Sequence, residues 1–422
     1  MTAIVLFASF FLFMLLSVPI AIALGLSLIV TALYSPDLTL TFLSQSLVTS
    51  TDNFVLMAVP FFILAGEIMG KGGISSRLFE VANVFIGRYT GGFAMAAILT
   101  SMFFAAISGS GPATVAAIGG MLIPAMVAEG YDKRFATAVI VSAGALGIII
   151  PPSIPLVLYG VSGSQSIGDL FIAGIIPGLL VGLLLMVYSY FYSKKNGYTG
   201  TGEPFSFKRL FSALNDAKWS ILIPIIILGG IYGGLFTPTE AAVVAVVYAT
   251  IVSLFFHKEI KIKDFPIAIR EAALNSVVIL LIIGTANAFG TVLSMERIPQ
   301  AVAEGFLSIT ENELLLMILI VLLLLIIGLF IDTSAAVIIF TPILLPMVLE
   351  IGIDPVHFGI VMIVALSIGF ITPPMGVNLF VGSSISGLSV PTLSKAVVPF
   401  FFVLLIGLVV IVLIPQLSLM ML

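Results

Sequence analysis

The sequence predicts an all-α polytopic membrane protein, built as an inverted repeat of about five transmembrane helices plus one re-entrant hairpin in each half. Three observations predict this: the apolar composition, apolar stretches too short to cross a bilayer, and a set of helix breakers that recurs at one fixed offset. Hydrophobic residues make up 60% of the chain and charged residues 9%, with a mean hydropathy of +1.30. A soluble domain carries roughly 25% charged residues, so the solvent implied here is lipid. The 422 residues are then better counted as about ten spans of roughly 20 residues than as soluble domains. The chain has no cysteine, which excludes disulfides, a thiolate nucleophile and Cys-ligated metals. Its net charge of -4 is too small to imply a nucleic acid or other polyanionic partner. Ile4 to Leu16 lacks a basic flank and a small-residue cleavage site and is expected to be a retained helix.

Apolar stretches such as Gly92 to Ile107 and Leu314 to Phe330 are at or below the minimum length of a straight span, and each ends at a Gly-rich or polar point. Each is followed by another short apolar piece, so residues 92–128 and 314–350 are predicted to be re-entrant hairpins rather than four spans. With the hairpins returning to their own sides, fifteen of the sixteen Lys and Arg residues fall on one side and only Arg297 falls opposite, with Glu296, Glu304, Glu311, Glu313 and Asp354. The positive-inside rule makes the basic side cytoplasmic and places both termini in the periplasm of a bacterial inner-membrane protein. Trp219, beside Lys218 at the start of a span, reads as an interfacial anchor.

Pro151-Pro152 recurs as Pro373-Pro374, an offset of 222 residues. The same offset pairs Gly130 with Gly352, Asp132 with Asp354, Gly147 with Gly369, and Pro177 with Pro399. Apolar composition does not generate coincident helix breakers, so the chain reads as a duplicated unit: 1–193 as the first repeat, 194–218 as a basic cytoplasmic linker and 219–422 as the second repeat. Five crossings per unit is odd, so the second copy is inverted. That is the architecture of secondary transporters, whose sites lie where broken helices meet near the midplane.

The chemistry is expected at the hairpin tips and helix breaks. Ser108-Gly109-Ser110-Gly111-Pro112-Ala113-Thr114 forms the first tip and Asp332-Thr333-Ser334 the second. Non-helical backbone at membrane depth is tolerated only where it lines a protein cavity. Proline inside a helix frees a carbonyl about one turn earlier, and freed carbonyls with hydroxyls make a hard-oxygen cage suited to an alkali cation. Two cation sites are predicted. The first uses Ser108, Ser110 and Gly111 against the break from Gly147 to Pro151; the second uses Asp332 and Thr333 against Gly369, Thr372 and Pro373. A small organic anion would lie between the tips, near Pro152, Ser153, Ser334, Pro374 and Asn378; Asn378 either binds it or ties helices together. Ser and Gly at such places also serve close packing, whereas a membrane-embedded carboxylate such as Asp332 is costly and points to function. Glu67 and Glu240 read as structural, the latter within an N-cap, N1 proline and first-turn acid at Thr237-Pro238-Thr239-Glu240. His257 and His357 fall in predicted loops, so no histidine relay crosses the membrane. Paired oxygen-rich tips favour sodium over protons. A channel is the alternative transport reading. An intramembrane hydrolase built on Gly109-Ser110-Gly111 lacks a membrane-embedded histidine base and any HExxH motif.

Five motifs in order carry a family resemblance: PFFILAGEIM (Pro60 to Met69), SGSGPATVAAIG (Ser108 to Gly119), GIIIPPSIPLVLYG (Gly147 to Gly160), GIYGGLFTPTEAAVVAVVYA (Gly230 to Ala249) and GFITPPMGVNLFV (Gly369 to Val381). Together they resemble the large membrane subunit of tripartite ATP-independent periplasmic (TRAP) transporters, over essentially the whole chain. The resemblance implies an elevator-type ion-transporter fold, a small four-span membrane subunit, a periplasmic binding protein that delivers substrate, and a sodium gradient as the driving force. Such subunits carry carboxylated solutes such as dicarboxylates or sialic acids, and sialic acid is the expectation here on overall likeness. Ser108, Ser110, Asp332, Gly147, Pro151, Gly369 and Pro373 match the family's cation-binding regions. Some relatives fuse both membrane subunits; nothing here precedes the large-subunit pattern, so the small subunit is expected as a separate chain. No cofactor is expected beyond Na+ as the coupling ion.

Overall fold

The computed structural model describes residues 1–422 except 36, 37, 201–204, 309 and 311; Glu311, one of the acids expected outside the membrane, lies outside the described residues. The described chain is helical and contains no strand. Its first half runs α1 (Thr2–Leu15), α2 (Ile20–Tyr34), α3 (Leu40–Thr51), α4 (Ala58–Lys71), α5 (Ile74–Ile86), α6 (Gly92–Ser108), α7 (Gly111–Ala128), α8 (Lys133–Ala143), α9 (Leu146–Ile149), α10 (Ile154–Ser162) and α11 (Ile167–Asn196). The second half runs α12 (Phe207–Tyr232), α13 (Pro238–Ile251), α14 (Phe265–Met295), α15 (Ile298–Leu307), α16 (Glu313–Phe330), α17 (Thr333–Glu350), α18 (Pro355–Gly369), α19 (Val377–Ser386), α20 (Val390–Leu413) and α21 (Gln416–Leu419). Both Pro151-Pro152 and Pro373-Pro374 are cis.

Helix starts follow cap chemistry. Asp132 caps α8 by accepting from the N–H groups of Arg134 and Phe135, and Asp354 caps α18 from Val356 and His357. Thr237 and Glu240 form a reciprocal capping box with Pro238 at the first turn of α13, so Glu240 has the structural role read from its sequence neighbours. His357 departs from its loop expectation. The Asp354 cap and Pro355 begin α18 two residues earlier, so the imidazole is buried in a helical turn, with Nδ1 3.3 Å from Ser418 Oγ. His257 does end its helix; its Nδ1 lies 2.9 Å from the Gly72 carbonyl, and burial holds its pKa below the usual histidine range. The basic segment 194–218 is largely helical: Lys194 and Lys195 end α11, and α12 starts at Phe207, twelve residues before Trp219. Trp219 stacks on Phe256 at 4.2 Å.

Among the described residues, ten helical stretches are long and apolar enough to cross a membrane, α7, α16 and α17 among them, whereas α1, α2, α6, α18 and α19 are shorter. Length alone therefore counts three of the four hairpin arms as spans. The links are short: Gly109 and Ser110 alone join α6 to α7, with Gly109 at φ 59°, and Ile331 and Asp332 alone join α16 to α17, so each pair is a tight helical hairpin. Lipid tails give no hydrophobic drive between helices, so packing depends on small residues that let backbones approach. Helix α13 packs on α4 in this way, with Ala241, Ala242, Ala245 and Ala249 buried on α13 and Ala58 and Ala65 buried on α4. Large apolar side chains such as Leu183, Phe255 and Phe402 remain exposed on the outside, where acyl chains are the solvent.

Candidate functional site

A cavity of about 660 Å³ lies where the two tips and both interrupted helices converge. Its floor comes from the first tip (Ser108 to Ala113, with Ala116), from Asp332 and Ser334 at the second, and from Ile148, Ile154 and Phe370 beside the breaks. The facing wall belongs to the starts of α2, the end of α4 and the first half of α14, through Pro19, Gly66, Glu67, Asn275 and Ile279.

At the first tip, four Gly and Ser positions in a row stop α6, and Ser110 with Pro112 restarts the chain as α7. The result is a cluster of oxygens. Ser108 Oγ lies 2.9 Å from Thr114 Oγ1, which donates to the Ser110 carbonyl at 2.8 Å. The Ile154 N–H donates to the Gly109 carbonyl at 3.2 Å, joining the tip to the first break. Gly147 completes the approach: a Cβ there would stand 2.5 Å from the Ser110 carbonyl oxygen and 2.7 Å from Thr114 Oγ1. Ser110 and Thr114 are thus brought against Gly147, with Ser108 joined through Thr114 and Gly111 beside Gly144 and the Phe370 ring, while Pro151 and Pro152 are buried outside the cavity lining. These neutral hydroxyl and carbonyl donors fit a hard alkali cation.

Asp332 stands 222 residues after Ser110 and occupies the same place, the N-cap of the second hairpin arm. Its Oδ2 accepts from the Ser334 N–H at 2.9 Å, and the residue lines the cavity. Thr333 is buried beside it. The second break meets its hairpin one turn before the tip. A Cβ at Gly369 would come 2.1 Å from the Gly328 carbonyl oxygen, and the Met375 N–H donates to the Leu329 carbonyl at 3.2 Å. Thr372 Oγ1 donates to the Ile368 carbonyl within its own chain turn.

The residues expected at the substrate divide. Ser334 lines the cavity; Pro152, Ser153, Pro374 and Asn378 do not. Ser153 is buried and caps α10, its Oγ donating to the Ile148 carbonyl at 2.6 Å. Pro373 and Pro374 are exposed on the other side of their break. Asn378 is fully buried; its Nδ2 donates to the Val141 carbonyl at 3.2 Å, a tie across the repeats, while its Oδ1 has no hydrogen-bond partner among the described residues.

Sequence reasoning missed three cavity residues. Glu67, set aside as structural, lines the wall, with Lys71 Nζ 3.8 Å away and Lys71 also paired to Glu271. Asn275 is a polar side chain inside the apolar run of α14, a signal that was present in the sequence. Phe370 reaches across from the second repeat to the first tip, where a Cβ on Gly111 would lie 2.8 Å from its ring. The lining holds two carboxylates, Asp332 and Glu67, and no Lys or Arg among the described residues.

Broken helices and hairpin tips converging on one cavity inside an apolar bundle are the architecture of a multi-pass membrane transporter subunit. Residues 7–417 match the family described as "Tripartite ATP-independent periplasmic transporter, DctM component", and the chain belongs to that family. It is 48% identical over 411 residues to the "Isethionate TRAP transporter permease protein DctMQ" of Oleidesulfovibrio alaskensis, covering 97% of this chain and 65% of that longer protein. It is 41% identical to the "C4-dicarboxylate TRAP transporter large permease protein DctM" of Pseudomonas aeruginosa, covering 94% of this chain and 93% of the relative. Identity is 39% to the "Sialic acid TRAP transporter large permease protein SiaM" of Vibrio cholerae, again over 94% and 93%. Among solved structures, the Alcanivorax borkumensis YdaH transporter superposes with a TM-score of 0.59 over 89% of each chain, at 16% identity, a likeness of fold alone.

Proposed function

We propose that this chain is the translocating subunit of a sodium-coupled symporter that takes up a small organic anion by elevator-type alternating access. The observation that carries the proposal is the charge of the cavity: two carboxylates and no basic side chain line it. An anion entering such a space is repelled unless cations enter with it, and the two tips offer oxygen donors for them. Sodium held at the Ser108–Thr114 cluster and at Asp332 supplies the positive potential, together with the amide ends of α7 and α17. Hairpins, α8 to α10, α18 and α19 form the moving body in this reading, with α2, α4, α13 and α14 as the fixed wall.

The substrate class follows the acids named for the relatives. At 48% identity, the isethionate relative puts a small sulfonate ahead of the sialic acid expected from overall likeness, with a four-carbon dicarboxylate between them. A periplasmic binding protein delivers the substrate and a small membrane subunit completes the complex. Uptake into proteoliposomes containing all three parts tests the function. Concentrative uptake that requires an inward sodium gradient supports it, and uptake unchanged by removing sodium overturns it. Thermal stabilisation of the cognate binding protein by isethionate, by a four-carbon dicarboxylate or by sialic acid decides among the substrates.

The cavity wall uses the start of α2 at Pro19 to Ala21, α4 from Ile63 to Glu67, toward the end that carries Lys71, and α14 from Asn275 to Ile282, mostly in the half that follows Arg270. With those loops in the cytoplasm, as their Lys and Arg content supports, the structure is inward-facing. Ala116 is exposed in the cavity, and the chain's lack of cysteine makes labelling clean. Ala116→Cys is expected to react with an impermeant maleimide from the cytoplasmic face only; periplasmic labelling alone would reverse the orientation. Glu67→Gln removes one repelling charge, so the apparent affinity for the anion is expected to rise ~3-fold or more. Unchanged or weaker half-saturation would show that Glu67 does not face the substrate.

A further inference from the structure

A second cleft, of about 670 Å³, opens at the basic rim of the bundle between α8, α11 and α20, and shares no lining residue with the central cavity. Arg134 and Lys395 line it, with Tyr188, Tyr192 and Thr392. Among the described residues neither cation enters an ion pair, whereas Lys71, Arg77 and Arg209 each do. The one acid among the described lining residues, Asp132, caps α8 through Oδ1. Two helices, α8 and α20, begin at this rim, so their positive dipole ends add to the two side-chain charges.

The floor of the cleft is aromatic and rigid. Phe135 stacks on Tyr192 at 4.0 Å, and Tyr188 meets Phe400 edge-on at 4.7 Å. Toward the bilayer the surface continues as exposed apolar side chains, Val187 and Phe191 on α11 and Val398 and Phe402 on α20. A cationic pocket bounded by tyrosines at headgroup level, passing directly into an acyl-facing surface, matches an amphiphile with an anionic head.

From this geometry we infer that the cleft between α8, α11 and α20 binds the headgroup phosphate of an anionic phospholipid through Arg134 and Lys395, with the acyl chains lying along α11 and α20. The inference uses the basic side as the membrane rim but not the sodium coupling or substrate proposed above. A free phosphate would satisfy the same two cations; the apolar continuation of the cleft favours the lipid. Because α8 and α20 pack together around this cleft, a bound lipid ties the body that carries the first helix break to one leaflet.

The test uses the full chain with its small subunit in nanodiscs and spin-labelled phosphatidylglycerol or phosphatidylcholine as probe. The wild type is expected to hold the anionic probe at least 5-fold more strongly than the zwitterionic one. Arg134→Gln with Lys395→Gln is expected to lose that preference, while Arg134→Lys with Lys395→Arg keeps it. Lys261→Gln with Lys263→Gln, basic residues outside the cleft, is also expected to keep it. Equal retention of both probes by the wild type overturns the proposal, as does an undiminished preference in the doubly neutral variant. Displacement of the probe by millimolar inorganic phosphate overturns the lipid assignment in favour of a free-anion site. Size-exclusion profiles of each variant separate lost binding from lost folding.

Discussion

Asp332→Asn is expected to abolish sodium-coupled uptake, by at least ~100-fold, while leaving the protein folded and its complex assembled. The two halves of this expectation rest on different properties of one side chain. As an N-cap, Asp332 accepts from the Ser334 N–H, and asparagine caps a helix about as well as aspartate, so the start of α17 survives the exchange. As a charge, the carboxylate is one of only two lining the cavity, and its replacement leaves the second tip with neutral donors alone. Asp332→Ala removes both and is expected to cost ~1 kcal/mol or more of stability as well as transport. Uptake against sodium concentration, with thermal stability of the same preparations, separates the effects. An Asn variant that transports normally would reduce Asp332 to a cap.

Gly147→Ala and Gly369→Ala are expected to be among the most damaging small substitutions near the cavity. Each added methyl meets backbone rather than a flexible side chain: the Ser110 carbonyl in the first case and the Gly328 carbonyl in the second, at 2.5 and 2.1 Å. Backbone that close cannot yield without moving a hairpin, and overpacking of this kind costs ~1–3 kcal/mol or more. The consequences differ. Gly147→Ala pushes on the oxygen cluster of Ser108, Ser110 and Thr114, so its half-saturation for sodium is expected to rise ~10-fold even where protein remains folded. Gly369→Ala separates α16 from α18 a turn below Asp332 and is expected to show chiefly as a lower unfolding temperature. Wild-type behaviour of Gly147→Ala in both measurements would mean that the first tip and the first break are not held together as described.

Composition and the unbroken apolar runs made the helical membrane class legible, because lipid leaves only helices or closed barrels and a barrel strand alternates polar with apolar residues. Caps were equally legible where a polar residue adjoins proline, as at Thr237-Pro238. The site was legible only in part. Repeat symmetry in sequence treats the two Pro-Pro breaks alike, yet the first is buried and the second exposed. The reason lies in the helix that follows each. Gly174 and Gly178 of α11 let that helix close over Ile149, Ile150 and Pro151, whereas the positions 222 residues later are Ala396 and Phe400. The Phe400 ring turns instead toward Phe135 and Tyr188. Glu67 escaped notice because its neighbours in sequence place it near a span end; only the approach of α14 puts it on a cavity wall. Asn378 offered two readings of similar chemistry, and its bond to the carbonyl of Val141, 237 residues away, is a tertiary contact that no local pattern announces.

Coupling by cations at two oxygen-lined tips is the central claim, and sodium flux measures it most directly. In proteoliposomes containing the assembled transporter and its loaded binding protein, substrate is expected to drive radiosodium entry, more than one ion for each anion. That entry should vanish with Asp332→Asn. Anion uptake without accompanying sodium entry would contradict the account.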